Sequence, residues 1–138
     1  MKRELAHLGY VVRDMASALR RFELEGAIVL IPPTSDPLQR VEVCLLNVDE
    51  TIAIELVAPM DDGESPIRAR VGRGGGLDHV CYTVDDVGEA LAEEESKGAI
   101  VVCPPTYAIA FDREVGFVHR RSGVVVEYMS GSPPGRDS

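Results

Sequence analysis

The chain is 138 residues long and 45% hydrophobic, a size and composition that fit one domain with a sizeable core. Its formal net charge of −9 argues against nucleic acid or an anionic membrane as the partner, because both bind basic surfaces. No stretch approaches the roughly 20 apolar residues of a membrane span, and the N-terminal residues do not lead into a signal-peptide core. We therefore expect a soluble, cytoplasmic protein that binds a small molecule.

An internal repeat organises the chain. Residues 5–56 align with residues 77–128 at a constant offset of 72 and without a gap. Identical residues are scattered along the whole alignment. They include His7 and His79, Asp14 and Asp86, 26–29 and 98–101, 32–34 and 104–106, and Glu55 and Glu127. Chance agreement over this length would be much sparser, so we interpret the two halves as copies of one module.

Each copy predicts the element order β-α-β-β-β. Alternating apolar residues predict the first strand, an Asp N-cap opens the helix and a Gly ends it. A β-branched strand, a Pro-rich loop and two further strands follow. The predicted strands are 5–12, 27–31, 41–47 and 51–58 in the first repeat and 77–84, 99–103, 113–119 and 124–129 in the second. We expect residues 61–76 to link the repeats within a single domain, 1–130, and residues 131–138 to form a disordered tail.

Four side chains at equivalent places in the two repeats indicate a metal site. Strand alternation places the histidine of the first strand and the glutamate of the last strand on the face opposite the helix. Two imidazoles and two carboxylates suit borderline divalent ions such as Co, Zn, Ni or Mn. A single strand His is more often a structural residue, and a single strand Glu an edge residue, but the repeated pattern favours ligands. The four predicted ligands are His7, Glu55, His79 and Glu127.

A second pair of glutamates, Glu42 and Glu114, lies in strands whose apolar residues alternate around them. Both can face the same side as the predicted ligands, where a carboxylate is the group required to remove a proton alpha to a carbonyl. Alternatively, either glutamate is a solvated edge residue or pairs with a neighbouring arginine such as Arg40 or Arg113. The sequence leaves these alternatives open.

A turn-like cluster of positive charge follows the predicted strand 113–119. His119 is succeeded by Arg120, Arg121 and a Ser-Gly pair, in a chain that is otherwise acidic. The composition favours a solvated turn. The alternative is a patch that contacts phosphate, with Arg120 and Arg121 as its first candidates.

Several segments, taken in order and spacing, resemble the vicinal oxygen chelate superfamily, and within it the methylmalonyl-CoA epimerases. The resemblance covers nearly the whole chain, and individually the motifs are weak. The segments are 7–12 (HLGYVV), 41–46 (VEVCLL), 54–59 (IELVAP) followed by 64–67 (ESPI), 76–86 (GLDHVCYTVDD) and 117–127 (FVHRRSGVVVE).

The resemblance implies an α+β fold in which two β-α-β-β-β modules, related by a pseudo-twofold, form a curved mixed sheet around a metal cleft. It places metal ligands at His7, Glu55, His79 and Glu127, and catalytic carboxylates at Glu42 and Glu127. One divalent metal ion is the implied cofactor, an acyl-CoA or other acyl thioester is the implied substrate, and a homodimer is the implied assembly.

The implied reaction is an epimerisation by 1,1-proton transfer, in which one Glu removes the proton alpha to a thioester carbonyl and the enolate is reprotonated on its other face. The alternatives are a glyoxalase-I-type lactoylglutathione lyase, another isomerase of the superfamily, and a non-enzymatic small-molecule binder. The binders of this superfamily generally lack the metal ligands, and its ring-cleaving dioxygenases use three protein ligands. The four-ligand pattern therefore favours an isomerase.

Overall fold

The structure is a computed structural model that describes residues 2–60 and 65–134. Within these residues the chain forms β1 (Glu4–Val11), α1 (Met15–Leu24), β2 (Ile28–Asp36), β3 (Val41–Val48), β4 (Ile52–Pro59), α2 (Arg68–Gly72), β5 (Gly76–Val84), α3 (Val87–Ser96), β6 (Ile100–Ala108), β7 (Arg113–His119) and β8 (Val125–Ser130). The predicted β-α-β-β-β order of each repeat is confirmed. The predicted linker 61–76 contains the short helix α2, and its residues 61–64 lie outside the described part.

The strands form an eight-stranded sheet in the order β2-β3-β4-β1-β5-β8-β7-β6. In the first repeat β4 is parallel to β1 and antiparallel to β3, which is antiparallel to β2. The second repeat has the same pairings, with β8 parallel to β5 and antiparallel to β7, and β7 antiparallel to β6. The predicted mixed sheet of the α+β fold is confirmed. The chain divides into two compact units, residues 8–78 and residues 1–7 with 79–138.

Both long helices begin and end as the sequence predicts. The Asp14 carboxylate accepts a hydrogen bond from the Ser17 backbone N–H at 2.9 Å, and Asp86 accepts one from Glu89 at 2.9 Å. These bonds satisfy N–H groups that the first turn of a helix leaves without partners. Gly26 and Gly98 follow the helices with φ angles of 101° and 96°, the left-handed conformation that terminates a helix.

The Pro-Pro-Thr segments lie within strands, so the prediction of a Pro-rich loop after residues 31 and 103 is wrong. β2 continues to Asp36 and β6 to Ala108. β2 and β6 are the two outermost strands of the sheet. An edge strand tolerates proline because only alternate N–H groups are needed for the ladder. The register shifts at both segments show where the ladder accommodates the prolines.

The core of unit 8–78 lies between α1 and one face of its strands. Its buried members are Met15, Cys44, Leu46, Leu56 and Ala58, and Tyr10, Val12, Phe22 and Ile54 are among the partly buried residues packed against them. The predicted helix-facing side of β1 and β4 is thereby confirmed. In the other unit α3 covers an equivalent cluster that includes Val84, Val87, Leu91, Val118, Val126 and Tyr128.

Part of the predicted tail is held by hydrogen bonds. The Gly131 N–H donates to the Val84 carbonyl at 3.1 Å, and the Arg113 guanidinium donates to the carbonyl of Ser132. Residues 135–138 of the tail lie outside the described residues, and disorder there stays a prediction. Among residues 2–60 and 65–134, no helix combines the length and apolar character that crossing a membrane requires.

Candidate metal centre

Three of the predicted ligands lie together on three strands of one compact unit. His7 is on β1, His79 on β5 and Glu127 on β8. Their exposed fractions are 1%, 5% and 2%, respectively. In β8 the neighbouring Tyr128 belongs to the α3-side cluster, so Glu127 points to the other face because side chains alternate along a strand. Glu127 therefore lies on the face opposite the helix, as the alternation along the strand predicted. This face is buried, whereas the sequence predicted an exposed one.

Both imidazoles approach the same carboxylate oxygen. The Nε2 atoms of His7 and His79 lie 3.0 Å and 3.1 Å from Oε1 of Glu127. The two imidazole rings meet edge to face, with centroids 5.5 Å apart. Burial by itself would raise the pKa of Glu127, but the hydrogen bonds from the two histidines outweigh it and lower the pKa to about 2. The carboxylate is consequently ionised, which is the state that a metal ligand requires.

Glu55 is the fourth predicted ligand and lies on β4, opposite Leu45 of β3. It is buried, with 5% of its surface exposed. One ligand atom from each of His7, Glu55, His79 and Glu127 can be chosen so that all four lie within 4.8 Å of one another. Nitrogen and oxygen ligands bind Zn at about 2.0–2.2 Å, so two ligands of one ion are at most about 4.4 Å apart. The group therefore fits a divalent ion after small side-chain adjustments.

Two phenylalanines pack against the histidines and were missed by sequence reasoning. The Phe111 ring stacks on His7 with a centroid distance of 5.6 Å and an interplanar angle of 12°. Phe117 meets His79 edge to face at 5.3 Å. Phe117 could have been found, because it lies opposite Glu127 in the β7–β8 ladder and must share its face. Phe111 lies in the turn between β6 and β7, where no periodic pattern predicts its direction.

The strand register does not support the interpretation that Glu42 faces the same side as the predicted ligands. Glu42 lies opposite Ala58, a member of the cluster under α1, whereas Glu55 lies opposite Leu45. Cross-strand partners share a face, so the two glutamates point to opposite sides of the sheet. The pKa of Cys44 agrees with this placement: burial raises it to about 11, helped by the negative charges of Glu23 on α1 and of Glu42. Both faces of β3 are buried, so apolar alternation could not tell them apart.

Glu114 is the repeat counterpart of Glu42 and is exposed. Its strand neighbour Gly116 lies under α3, where an added Cβ would be 2.8 Å from Leu91 Cδ1 and 3.1 Å from Val87 Cγ1. Glu114 shares that face by alternation. The interpretation of Glu114 as a solvated residue therefore fits the structure better than a place beside Glu127.

The fold and the buried His-Glu group together define a class of protein. The profile of the glyoxalase/bleomycin resistance protein/dioxygenase superfamily matches residues 6–117, and the chain belongs to this superfamily. The resemblance found in the sequence is thereby confirmed.

Two relatives of the chain with known names are epimerases. The chain is 29% identical over 128 residues to the ethylmalonyl-CoA/methylmalonyl-CoA epimerase of Cereibacter sphaeroides, covering 89% of this chain and 94% of the relative. It is 32% identical over 100 residues to the mitochondrial methylmalonyl-CoA epimerase of Dictyostelium discoideum, covering 67% of this chain and 60% of the relative. The crystal structure of methylmalonyl-CoA epimerase from Mycobacterium tuberculosis superposes with a TM-score of 0.74 at 26% identity, covering 94% of this chain and 88% of that one.

Proposed function

We propose that this chain is a metal-dependent epimerase that transfers the proton alpha to the thioester carbonyl of an acyl-CoA such as methylmalonyl-CoA. The observation that carries the proposal is the buried group of two imidazoles and two carboxylates in a chain whose named relatives are acyl-CoA epimerases. Fold alone would not choose an activity, since one fold hosts many reactions. The donor set adds the chemical argument, because two imidazoles and two carboxylates suit a divalent ion.

His7, Glu55, His79 and Glu127 would hold the ion, and Co, Zn, Ni and Mn all accept such nitrogen and oxygen donors. A divalent ion supplies Lewis acidity, which lowers the energy of negative charge developing on a carbonyl oxygen. The aromatic rings of Phe111 and Phe117 limit the access of water to the histidines. Their packing also restricts the histidine rotamers, which keeps both imidazoles directed at Glu127.

Glu127 is the carboxylate that we assign to proton transfer as well as to the metal. It is buried and directed to the metal side of the sheet, where a carboxylate is positioned to accept a proton from a bound substrate. Glu42 is the second carboxylate that the family resemblance suggests as a base. The β3–β4 register argues against that role, because it directs Glu42 to the α1 side.

The reaction is tested by isotope exchange. The metal-loaded protein is incubated with methylmalonyl-CoA in heavy water, and deuterium at the alpha carbon is followed by mass spectrometry. We expect incorporation well above the rate without enzyme, and a loss of at least about a hundredfold in Glu127→Gln. Incorporation no faster than the background would contradict the epimerase proposal. Conversion of the methylglyoxal–glutathione hemithioacetal instead would support the lyase alternative.

Glu42→Gln and Glu114→Gln form a matched pair in the same assay. The residues occupy equivalent positions of the repeat, and both lie on helix-facing sides of their strands. We expect both variants to retain exchange and metal. Loss of exchange in Glu42→Gln alone, with metal retained, would show that Glu42 reaches the substrate despite the register.

Metal binding has a separate test that needs no substrate. Elemental analysis of protein purified without chelator should find a divalent metal, and added Co or Zn should raise the melting temperature. His7→Ala and His79→Ala should each weaken Co binding by more than about a hundredfold, since even outer-shell partners of a ligand contribute ten- to a hundredfold. His119→Ala, an exposed histidine, is the control. The identity of the metal, the homodimer and the cytoplasmic location stay predictions.

A further inference from the structure

A cavity of about 390 Å³ lies at the C-terminal end of α3 and the β7–β8 turn. We call it the basic cavity, and it is lined by Glu94, Lys97, Ala99, Arg120, Arg121 and Ser122. It is on the helix side of the sheet, because Glu94 bonds the hydroxyl of Tyr128. The adjacent Glu127 points to the opposite side. The basic cavity is therefore separate from the candidate metal centre.

The repeat provides an internal comparison for this cavity. Its lining residues correspond, at the offset of 72, to Phe22, Glu25, Ala27, Val48, Asp49 and Glu50. Three cations and one carboxylate give the basic cavity a formal charge of +2, whereas the three carboxylates of the counterpart positions give −3. The charge is thus reversed at equivalent positions, in a chain whose net charge is −9. Fold requirements do not explain this reversal, because both repeats build the same elements.

Arg120 is held in a fixed position at the wall of the cavity. Its Nε lies 3.2 Å from each carboxylate oxygen of Glu94, and its Nη2 lies 2.7 Å from Oε2. The Tyr128 hydroxyl donates to the same oxygen of Glu94. The Arg120 side chain nevertheless keeps 34% of its surface exposed. A guanidinium has five N–H donors, more than the bonds to Glu94 and Tyr128 use, so donors of Arg120 remain for a ligand in the cavity.

Arg121 and Lys97 add charge that internal contacts only partly neutralise. The methylene groups of Arg121 lie against Gly98, where an added Cβ would be only 2.9 Å from Cδ. Within the part of the chain that the structure describes, no ion pair or hydrogen bond engages the Arg121 guanidinium. Lys97 pairs with Glu93 at 3.3 Å, but both side chains are exposed, so solvent screens that pair.

We propose that the basic cavity binds the phosphate group of a small phosphorylated molecule. Two guanidinium groups, one ammonium group and the Ser122 hydroxyl are the donors that phosphate oxygens accept, and arginine is suited to bidentate phosphate contacts. The cavity volume lies in the range of small-molecule sites, about 300–1,000 Å³. The ligand is either a free phosphate-bearing metabolite or the phosphorylated end of a CoA thioester. The site is additional to the proposed epimerase reaction.

The test titrates two probes into the metal-loaded protein at fixed ionic strength, with chloride as the anion control. The probes are inorganic phosphate and adenosine 3′,5′-bisphosphate, the phosphorylated end of CoA, and binding is followed by calorimetry and phosphorus NMR. The cavity variant carries Lys97→Glu and Arg121→Asp, the residues of the first repeat. The control variant carries Arg20→Glu and Arg21→Asp, exposed positions on α1 that give the same change of net charge.

We expect saturable binding of a phosphate probe to the wild type and the control variant, and at least about tenfold weaker binding to the cavity variant. Binding of inorganic phosphate would show that a phosphate group alone is sufficient for binding. Binding of the bisphosphate but not of inorganic phosphate would show that the ligand is the phosphorylated end of CoA. Absence of saturable binding, unchanged affinity in the cavity variant, or equal losses in both variants would overturn the proposal. All four substituted residues are exposed, so circular dichroism should show folded variants.

Discussion

The two helix–sheet interfaces occupy equivalent positions of the repeat but are held by different interactions. Three positions in each interface connect the helix with the strands beneath it. Under α1 all three are apolar members of the core, whereas under α3 they form a network of charged and hydroxyl groups. The equivalent pairs are Phe22 and Glu94, Val48 and Arg120, and Leu56 and Tyr128.

The network under α3 extends to the N-terminal segment. Arg3 donates to the Tyr128 hydroxyl at 3.1 Å and lies over the rings of Tyr82 and Tyr128, 5.5 Å and 5.9 Å from their centroids. At the counterpart of Tyr82, Tyr10 contacts the Phe22 ring edge to face at 5.9 Å instead. Aromatic packing in the first repeat is thus replaced by cation–π and hydrogen-bond contacts in the second.

The first repeat shows that this β-α-β-β-β module packs its helix without buried charge. Apolar residues of similar volume usually replace a buried ion pair at little or no cost in stability, because desolvation offsets the Coulomb energy. The ion network is therefore not needed for the fold as such. We interpret it as a specialisation of the second repeat that fixes Arg120 at the basic cavity. Four variants test this comparison.

Breaking the network at one partner should have the largest effect. Glu94→Leu leaves Arg120 without its carboxylate and Tyr128 without its acceptor. Removal of one partner from a fully buried pair costs about 3–5 kcal/mol, and partial exposure of Arg120 reduces our expectation to about 2 kcal/mol. Urea unfolding measures the change, with the exposed neighbour Glu95→Leu as control. A loss no greater than that of the control would show that the pair is solvated.

Removing only the hydroxyl of Tyr128 should have a smaller effect. Tyr128→Phe keeps the ring in the α3-side cluster but deletes the hydrogen bonds with Glu94 and Arg3. We expect a loss of about 1 kcal/mol in the free energy of unfolding, typical of a buried hydrogen bond. Tyr82→Phe, which retains the ring under Arg3, should change stability by less. Equal losses of stability in Tyr128→Phe and Tyr82→Phe would show that the Tyr128 hydroxyl contributes no more to the free energy of unfolding than the Tyr82 hydroxyl.

The pH dependence of stability should distinguish the two interfaces. Burial by itself would raise the pKa of Glu94, but hydrogen bonds from Arg120 and Tyr128 outweigh it and hold the pKa below its ordinary value of 4.5. A depressed folded-state pKa gives stability that is present above the unfolded-state pKa and lost as pH falls through the folded value. The stability difference between wild type and Glu94→Gln should therefore shrink as the pH falls below the unfolded-state pKa and through the lower folded-state pKa. A stability difference that does not change with pH would show that the ionisation of Glu94 is not linked to folding.

Transplanting the apolar interface should have the smallest effect on stability. The variant Glu94→Phe, Arg120→Val and Tyr128→Leu gives the second repeat the residues of the first. We expect a free energy of unfolding within about 1 kcal/mol of the wild type, together with loss of phosphate binding. Thermal and urea unfolding measure the first, and the titration described above measures the second. A variant that does not fold would show that the network is required for the architecture.

Much of the fold could be predicted from the sequence because each local pattern occurs twice, once in each repeat. The Asp caps, the helix-ending glycines and the strand order of each module were predicted in both copies and confirmed. The same duplication indicated His7, Glu55, His79 and Glu127, which the structure brings together. Each of these signals is local, since a cap, a turn or a strand parity depends on residues close in sequence.

The features that were missed depend on long-range contacts. The prolines of β2 and β6 lie within strands because both strands are at the edges of the sheet. The sequence of one segment does not show whether its strand will be at an edge. The face of Glu42 depends on a register between two strands that are buried on both sides. The Glu94–Arg120 pair joins a helix to a turn 26 residues away, in positions where the first repeat has apolar residues. Composition and spacing carry no signal for such a pair.

The first and the last strand of the described chain, β1 and β8, are in contact at Glu127. His7 Nε2 and Glu127 Oε1 are in contact although the residues are 120 positions apart. During synthesis the first histidine leaves the ribosome early, while its carboxylate partner emerges only after nearly all the other strands have been made. A nascent chain therefore lacks the complete His-Glu group throughout most of translation. Binding of the proposed metal ion by the complete group would therefore have to follow synthesis of the last strand.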